Sequence, residues 1–274
     1  MDEKKNYPLW KVIAQIVLML GLIFVVPLLL ILLWLSGSEK MMDRKVPEVR
    51  VLAETYLDEQ YPGHDFEITN AYHSWYDSVF YVKVQSSSSA DTYFTVTYDN
   101  SLEFFADSYE RRVADRGNTA ARIVEDYETQ AKAVLEAIPD YDWSQISFVT
   151  YSDTTDISLH WSPQGLDSRT LELDGEYDAA EMGWDYGWLT VYFLEEPGNL
   201  NVPRVLERLR QVDEAMAEAG VGYQVVEIRL ITDSDLVMAE QFTVYAIRRE
   251  YLQSEDPLAV LHPSGRSRRP TGRH

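Results

Sequence analysis

Five carboxylates fall within twelve residues of this chain: Asp174, Glu176, Asp178, Glu181 and Asp185. Hard oxygen ligands at alternating positions suit calcium. Asp174, Glu176, Asp178 and Asp185 are therefore the candidate cation ligands. The stretch Asp174-Gly175-Glu176-Tyr177-Asp178 departs from an EF-hand loop, because its glycine is misplaced and the twelfth position is Asp185 instead of glutamate. A second set, Asp153, Asp156, Asp233 and Asp235, has the same chemistry. The first run leads into Gly183-Trp184-Asp185-Tyr186-Gly187-Trp188. Aromatic rings flanked by glycine can build a flat recognition surface, here from Trp184, Tyr186 and Trp188. Paired carboxylates with Trp161, Trp184 and Trp188 to stack on sugar rings would also suit glycoside hydrolysis. Against this, Trp188 can simply open a strand and Trp184 can pack at a domain edge.

Other chemistries lack their residues. Cysteine is absent, which removes disulfides, thiolate metal sites and a cysteine nucleophile. No glycine pattern for cradling phosphate occurs, and neither HExxH nor GxSxG is present. Of the five histidines, His262 and His274 lie near the C-terminal end, while His64, His73 and His160 are isolated. The 274 residues carry 45 acidic and 24 basic side chains, a net charge of −21. Such a surface repels nucleic-acid phosphates. The expectation is a non-enzymatic chain with no cofactor and no nucleic-acid partner, and with cation binding as one role for the acids.

The elements that would place these residues begin with the apolar run Val12–Leu35. It holds 24 residues interrupted only by Gln15, Gly21 and Pro27. As a helix it would extend about 36 Å, enough for a hydrocarbon core of about 30 Å. Trp10 and Trp34 sit at its two ends, where indoles favour the headgroup level. The spacing predicts one N-terminal transmembrane helix over 12–35, with a cytoplasmic tail at 1–11 and a juxtamembrane linker at 36–45. Cleavage after Ser38 is the alternative, although the apolar stretch exceeds that of a signal peptide. Basic residues on the two sides nearly balance, and a short leading tail favours an extracytoplasmic main body at the plasma membrane.

Charge divides the rest. Residues 46–261 hold 14 basic and 41 acidic groups, whereas 262–274 hold four arginines and no acid. The latter reads as a disordered basic tail. Residues 46–139 read as a first α+β domain. Val49, Leu52, Ala53 and Tyr56 share a helix face; Phe80, Val82 and Val84 alternate along a strand, as do Phe94, Val96 and Tyr98. Ser86–Ala90 is a hairpin connection between these strands. A helix with Asn118 as its cap and Ile123, Tyr127, Ala131, Val134 and Ile138 as its stripe closes the domain. Residues 140–261 read as a second α+β domain: a strand at Leu189–Phe193, a helix over Val202–Ala219, and strands around Ile228 and Val244. The fold class is thus α+β, an anchor followed by two small antiparallel sheet-plus-helix units.

The stretch Asp107-Ser108-Tyr109, then Val113, Gly117-Asn118-Thr119 and Arg122, resembles the YfjL-like proteins, small single-span membrane proteins of Gram-positive bacteria. The resemblance covers residues 1–138. It implies an anchor, a helix, a Tyr/Phe-rich hairpin and this motif leading into a helix. The family has no assigned activity and no catalytic residues to carry over. The combined expectation is a non-catalytic binding or interaction module of the cell envelope, partnered by an envelope protein, a wall polymer or a cation. The alternatives are an envelope hydrolase using carboxylates near Trp184–Trp188, and a cytoplasm-facing regulator tethered to the membrane.

Overall fold

The computed structural model describes residues 18–19, 21, 23–29, 41–149, 165–233 and 240–249; side chains at 245, 246 and 248 are outside that description. It divides into two compact units, Met1–Glu110 and Arg111–His274. Both are sheets with helices, so the α+β expectation holds.

The transmembrane helix expected over 12–35 is corrected. Among the described residues no helix is long and apolar enough to cross a membrane. The longest described stretch of that run, 23–29, is helical. Residues 18, 19 and 21 are helical as well, and the other positions of the run lie outside the described residues.

In the first unit a helix, α1 (Val46–Gln60), precedes a meander of β1 (Phe66–Ser74), β2 (Val79–Ser86), β3 (Tyr93–Asp99) and β4 (Phe104–Asp107), paired antiparallel in chain order. Pro47 opens the helix, where its missing N–H costs nothing. Val49, Ala53 and Leu57 are buried on one side of it. The alternating residues Phe80, Val82 and Val84 of β2 and Phe94, Val96 and Tyr98 of β3 supply the buried face of the sheet, with α1 lying over β1 and β2. The serine-rich connection is indeed the β2–β3 hairpin turn. Asp65 pins it by accepting hydrogen bonds from the Ser86 and Ser87 hydroxyls at 2.7 Å each and from the Ser88 amide at 2.8 Å. These donors, Ser86 first, hold its carboxyl below the usual carboxylate range.

In the second unit come α2 (Gly117–Leu135), β5 (Tyr141–Phe148), α3 (Ala179–Tyr186), β6 (Gly187–Leu194), α4 (Val202–Glu218), β7 (Val225–Ile231) and β8 (Gln241–Arg248). The sheet order is β5-β6-β7-β8. Three expectations are corrected here. The long helix α2 belongs to this unit, not the first: Ile123, Tyr127, Ala131 and Leu135 share one core with Ile146, Phe148, Leu189, Val191, Phe193 and Ile228. The domain break therefore falls after Glu110, not near Pro139. The sheet is also not wholly antiparallel, since β6 and β7 run parallel. The 17-residue α4 between them returns the chain to the starting end of the sheet, as a crossover must. Asn118 is not the cap of α2. Arg116 takes that position in the left-handed region (φ 60°), and Asn118 is buried inside the first turn.

Tyr127 sits at the centre of this core. Its hydroxyl donates to the Gly222 carbonyl at 2.8 Å, and burial pushes its pKa up. Gly183 and Gly187 lie against its ring, which leaves no room for a side chain at either. Elsewhere in the unit the buried Arg208 (1% exposed) joins α4 to the strand ends. It donates to Glu195 at 2.7 Å and to the Pro139 carbonyl at 2.8 Å, and its guanidinium lies 4.7 Å from the Phe193 ring centre.

At an exposed helical site, glycine to alanine would gain about 1 kcal/mol. Gly183→Ala has the opposite expectation, because its Cβ would fall 2.3 Å from the Gly222 oxygen and 2.6 Å from the Tyr127 ring. A loss of about 1–3 kcal/mol should appear in denaturant unfolding. Unchanged or increased stability would contradict this packing.

Candidate recognition face

The carboxylate run does not assemble into a cation site. Asp174, Glu176, Asp178, Glu181 and Asp185 are all exposed. Asp178 caps α3, accepting from the Glu181 amide at 3.1 Å. Asp174 occupies a left-handed turn position with φ 56°. Among the described residues no group of three or more His, Asp or Glu could hold a metal ion. Asp153, Asp156, His160, Trp161 and Asp235 lie outside the described residues.

The three rings picked out from the sequence go to three different places. Trp184 is half-buried, with the Arg249 guanidinium 4.1 Å from its ring centre and the Gly222 backbone packed so closely that a Cβ there would strike the indole. Arg249 donates in turn to Asp213 at 2.8 Å, as does the Tyr223 hydroxyl at 2.8 Å. Burial first, and then the Asp213 hydrogen bond, pushes the Tyr223 hydroxyl pKa up. Tyr186 packs on the core, 6.1 Å from the Phe148 ring. Trp188 opens β6 and alternates with the core residues Leu189, Val191 and Phe193, so it points to the opposite side of the sheet together with Thr190 and Tyr192. There Tyr192 lies between the Trp143 ring at 4.8 Å and the Arg229 guanidinium at 5.1 Å. The glycines beside Trp184 and Trp188 serve the approach to Tyr127, not a flat surface.

The motif around Asp107 is likewise spent on structure. The Asp107 carboxylate accepts hydrogen bonds from the Tyr56 hydroxyl, from the Tyr61 hydroxyl at 2.9 Å and from the Tyr109 amide at 3.0 Å. Tyr56 stacks on Phe104, with ring centres 4.7 Å apart. The Ser108 hydroxyl accepts from the Thr95 amide at 3.0 Å, and Val113, Asn118 and Thr119 are buried. Burial, followed by the Asp107 hydrogen bond and its negative charge, pushes the Tyr56 pKa up to about 12.

A better surface lies on the first sheet, on the side away from α1. Register places Tyr72 opposite Tyr81, Asn70 opposite Lys83, and Gln85 between Glu67 and Tyr93. Thr97 follows Tyr81 and Thr95 follows Lys83 on β3. These residues alternate with the buried set, so all share the face opposite α1. Tyr72 is 39% exposed and Tyr93 42%. Tyr72 and Tyr81 have ring centres 5.6 Å apart. The Tyr81 hydroxyl donates to Asp77 at 2.9 Å, which fixes that ring at one end of the face. The Lys83 ammonium lies 5.8 Å from the Tyr72 ring centre.

The outward alternation of Tyr81, Lys83 and Gln85 is readable in sequence. Tyr72 is not. Counting by twos from Phe66 and Ile68 would send Tyr72 to the core. A bulge between Ile68 and Asn70 moves it to the open face and turns Ala71 and His73 inward.

No protein-family model matches the chain, and no curated protein matches it. A crystal structure of a DUF5037 family protein from Ruminococcus gnavus is similar at 15% identity, over 79% of this chain and 82% of that one, with a TM-score of 0.20. A score that low carries no argument about fold or function.

The Tyr56 shift has a consequence in alkali. Its folded pKa is above the ordinary 10.0, so the stability it contributes is complete below pH 10 and is lost as pH rises through about 12. Denaturant unfolding across that interval should show a smaller alkaline loss in Tyr56→Phe than in the unaltered chain. Equal losses would contradict the Tyr56–Asp107 assignment.

Proposed function

We propose that this chain is a non-catalytic binding module and that the face of the first sheet opposite α1 is its recognition surface. The observation that carries the reading is the pair Tyr72 and Tyr81 opposite one another, with Tyr93 further along the same face beside Gln85, together with Asn70, Lys83, Thr95 and Thr97. Rings supply contact area at low cost in side-chain entropy, and the polar groups between them orient whatever lies across the strands. Tyr72 is 39% exposed on that face, where a ring adds little to folding, and a partner would explain its presence. The most perturbed ionisable groups among the described residues support the same reading from the other direction. Tyr56, Tyr61, Asp65, Tyr127 and Tyr223 are all committed to intramolecular contacts.

The test is a panel of immobilised polymers (a neutral sugar polymer, a polyanion, and a Lys/Arg-rich peptide) offered to the full-length protein. At least one should be retained, and the double variant Tyr72→Ser/Tyr93→Ser should lose it. The same variant should unfold within about 1 kcal/mol of the unaltered protein, as surface substitutions do. Retention that ignores both tyrosines, or turnover of any polymer, would contradict the proposal.

A further inference from the structure

We infer that the start of α2 binds a small tetrahedral oxyanion, phosphate in the first instance. The site lies in the second unit and does not depend on the recognition face of the first. The leading amides of a helix have no intrahelical acceptor, and the helix dipole favours negative charge beside them. This helix start lacks the usual oxygen cap. Arg116 holds the N-cap position, and its side chain makes no capping bond. A helix start alone is not a site, but two orphaned side-chain groups single this one out.

The first is Thr119, 0% exposed, whose Oγ1 has no hydrogen-bond partner among the described residues. Thr119 is the third residue of α2. Helical Cα–Cβ bonds tilt toward the N-terminus, and a side chain at this position reaches back toward the cap, as the glutamate of a capping box does. A helical threonine otherwise turns its hydroxyl to a carbonyl of the preceding turn, and Thr119 makes no such bond. The second group is the buried Nε of Arg116, also without a partner. The same guanidinium is fixed in place, donating through one terminal nitrogen to the Val113 carbonyl at 2.7 Å and the Ala114 carbonyl at 2.9 Å. The turn that carries those carbonyls is pressed onto the helix start, since a Cβ on Gly117 would fall 2.5 Å from the Arg111 oxygen.

The Thr119 hydroxyl, the Arg116 Nε–H and the helix amides can all donate. Three separate sets of donors call for more oxygens than the two of a carboxylate, and a tetrahedral anion offers four. The local charge agrees. Residues 111–119 hold Arg111, Arg112 and Arg116 against Asp115 alone, net +2 in a chain of net charge −21. The burial of Thr119 limits competition from water and favours a small ion.

The experiment uses the full-length protein and inorganic phosphate at constant ionic strength, with acetate and chloride as competitors. Binding is read by calorimetry and by the backbone amide resonances of Gly117 and Thr119. Phosphate should bind saturably and move both amides, and acetate and chloride should do neither. Thr119→Val keeps the side-chain shape and removes the hydroxyl. It should weaken phosphate binding about tenfold, the loss expected of one hydrogen bond to a charged group. Thr119→Ser should restore it. Without phosphate, Thr119→Val should unfold no more easily than the unaltered chain, because the hydroxyl has no protein partner to lose. Glycerol phosphate, run beside the free ion, separates inorganic phosphate from a phosphate ester as the source, and Thr119-dependent binding of either supports the site.

Absence of phosphate binding, or binding that ignores Thr119→Val, would overturn the inference. Acetate bound as tightly as phosphate would overturn the tetrahedral assignment. Destabilisation by Thr119→Val in phosphate-free buffer would place the hydroxyl in a bond within the protein and overturn the site. The recognition face of the first unit is tested separately, by its polymer panel.

Discussion

One carboxylate determines how the first unit presents itself. Asp107, on the edge strand β4, receives the hydroxyls of Tyr56 and Tyr61 from α1 and the residue just beyond it. The helix lies over β1 and β2 at the other side of the sheet. Asp107 therefore ties its C-terminal end across to the far edge. Hydrogen bonds to an ionised acceptor are roughly twice as strong as neutral ones, and here three donors share one carboxylate. One helix is clamped to one face, and Tyr72, Lys83 and Gln85 on the other are exposed. The strand alternation then decides which residues stand on it.

The second unit answers the same problem with more helix. Three helices cover one face of β5–β8, and Tyr127 is the point where α2, α3 and the start of β6 meet. Two glycines and the Gly222 carbonyl fit around one phenol so closely that the helix–strand junction has a single arrangement. Trp184 and Trp188 are consequences of that junction. The first is covered by Arg249, and the second is turned to the far side of the sheet. Their distinctive spacing in the sequence records how tightly the backbone passes a buried tyrosine.

Much of this could be read from residue order, and the failures have physical causes. The strands β2 and β3, the hairpin between them and α4 follow directly from period-two and period-3.6 patterns. The stripe on α2 showed that the helix is half-buried but not against which sheet, since periodicity carries no partner information. The order strand, helix, strand, strand suggested an antiparallel sheet, although a helix between two strands is equally what a parallel crossover requires. The carboxylate run looked like a ligand set because spacing alone cannot distinguish a ligand from a helix cap such as Asp178. Tyr72 was hidden by one extra residue. A bulge shifts every later side chain of β1 to the other face, and no propensity marks where it falls.

The central claim is that the open face of the first sheet makes contact with a partner while the buried tyrosines do not. Ring resonances of assigned tyrosines, followed by NMR as the ligand retained from the polymer panel is titrated into the full-length protein, test it most directly. The account predicts shifts at Tyr72, Tyr81 and Tyr93 on a common binding curve, with Tyr127 and Tyr223 unmoved. Shifts confined to tyrosines of the second unit, or none at the three on the open face, would contradict it.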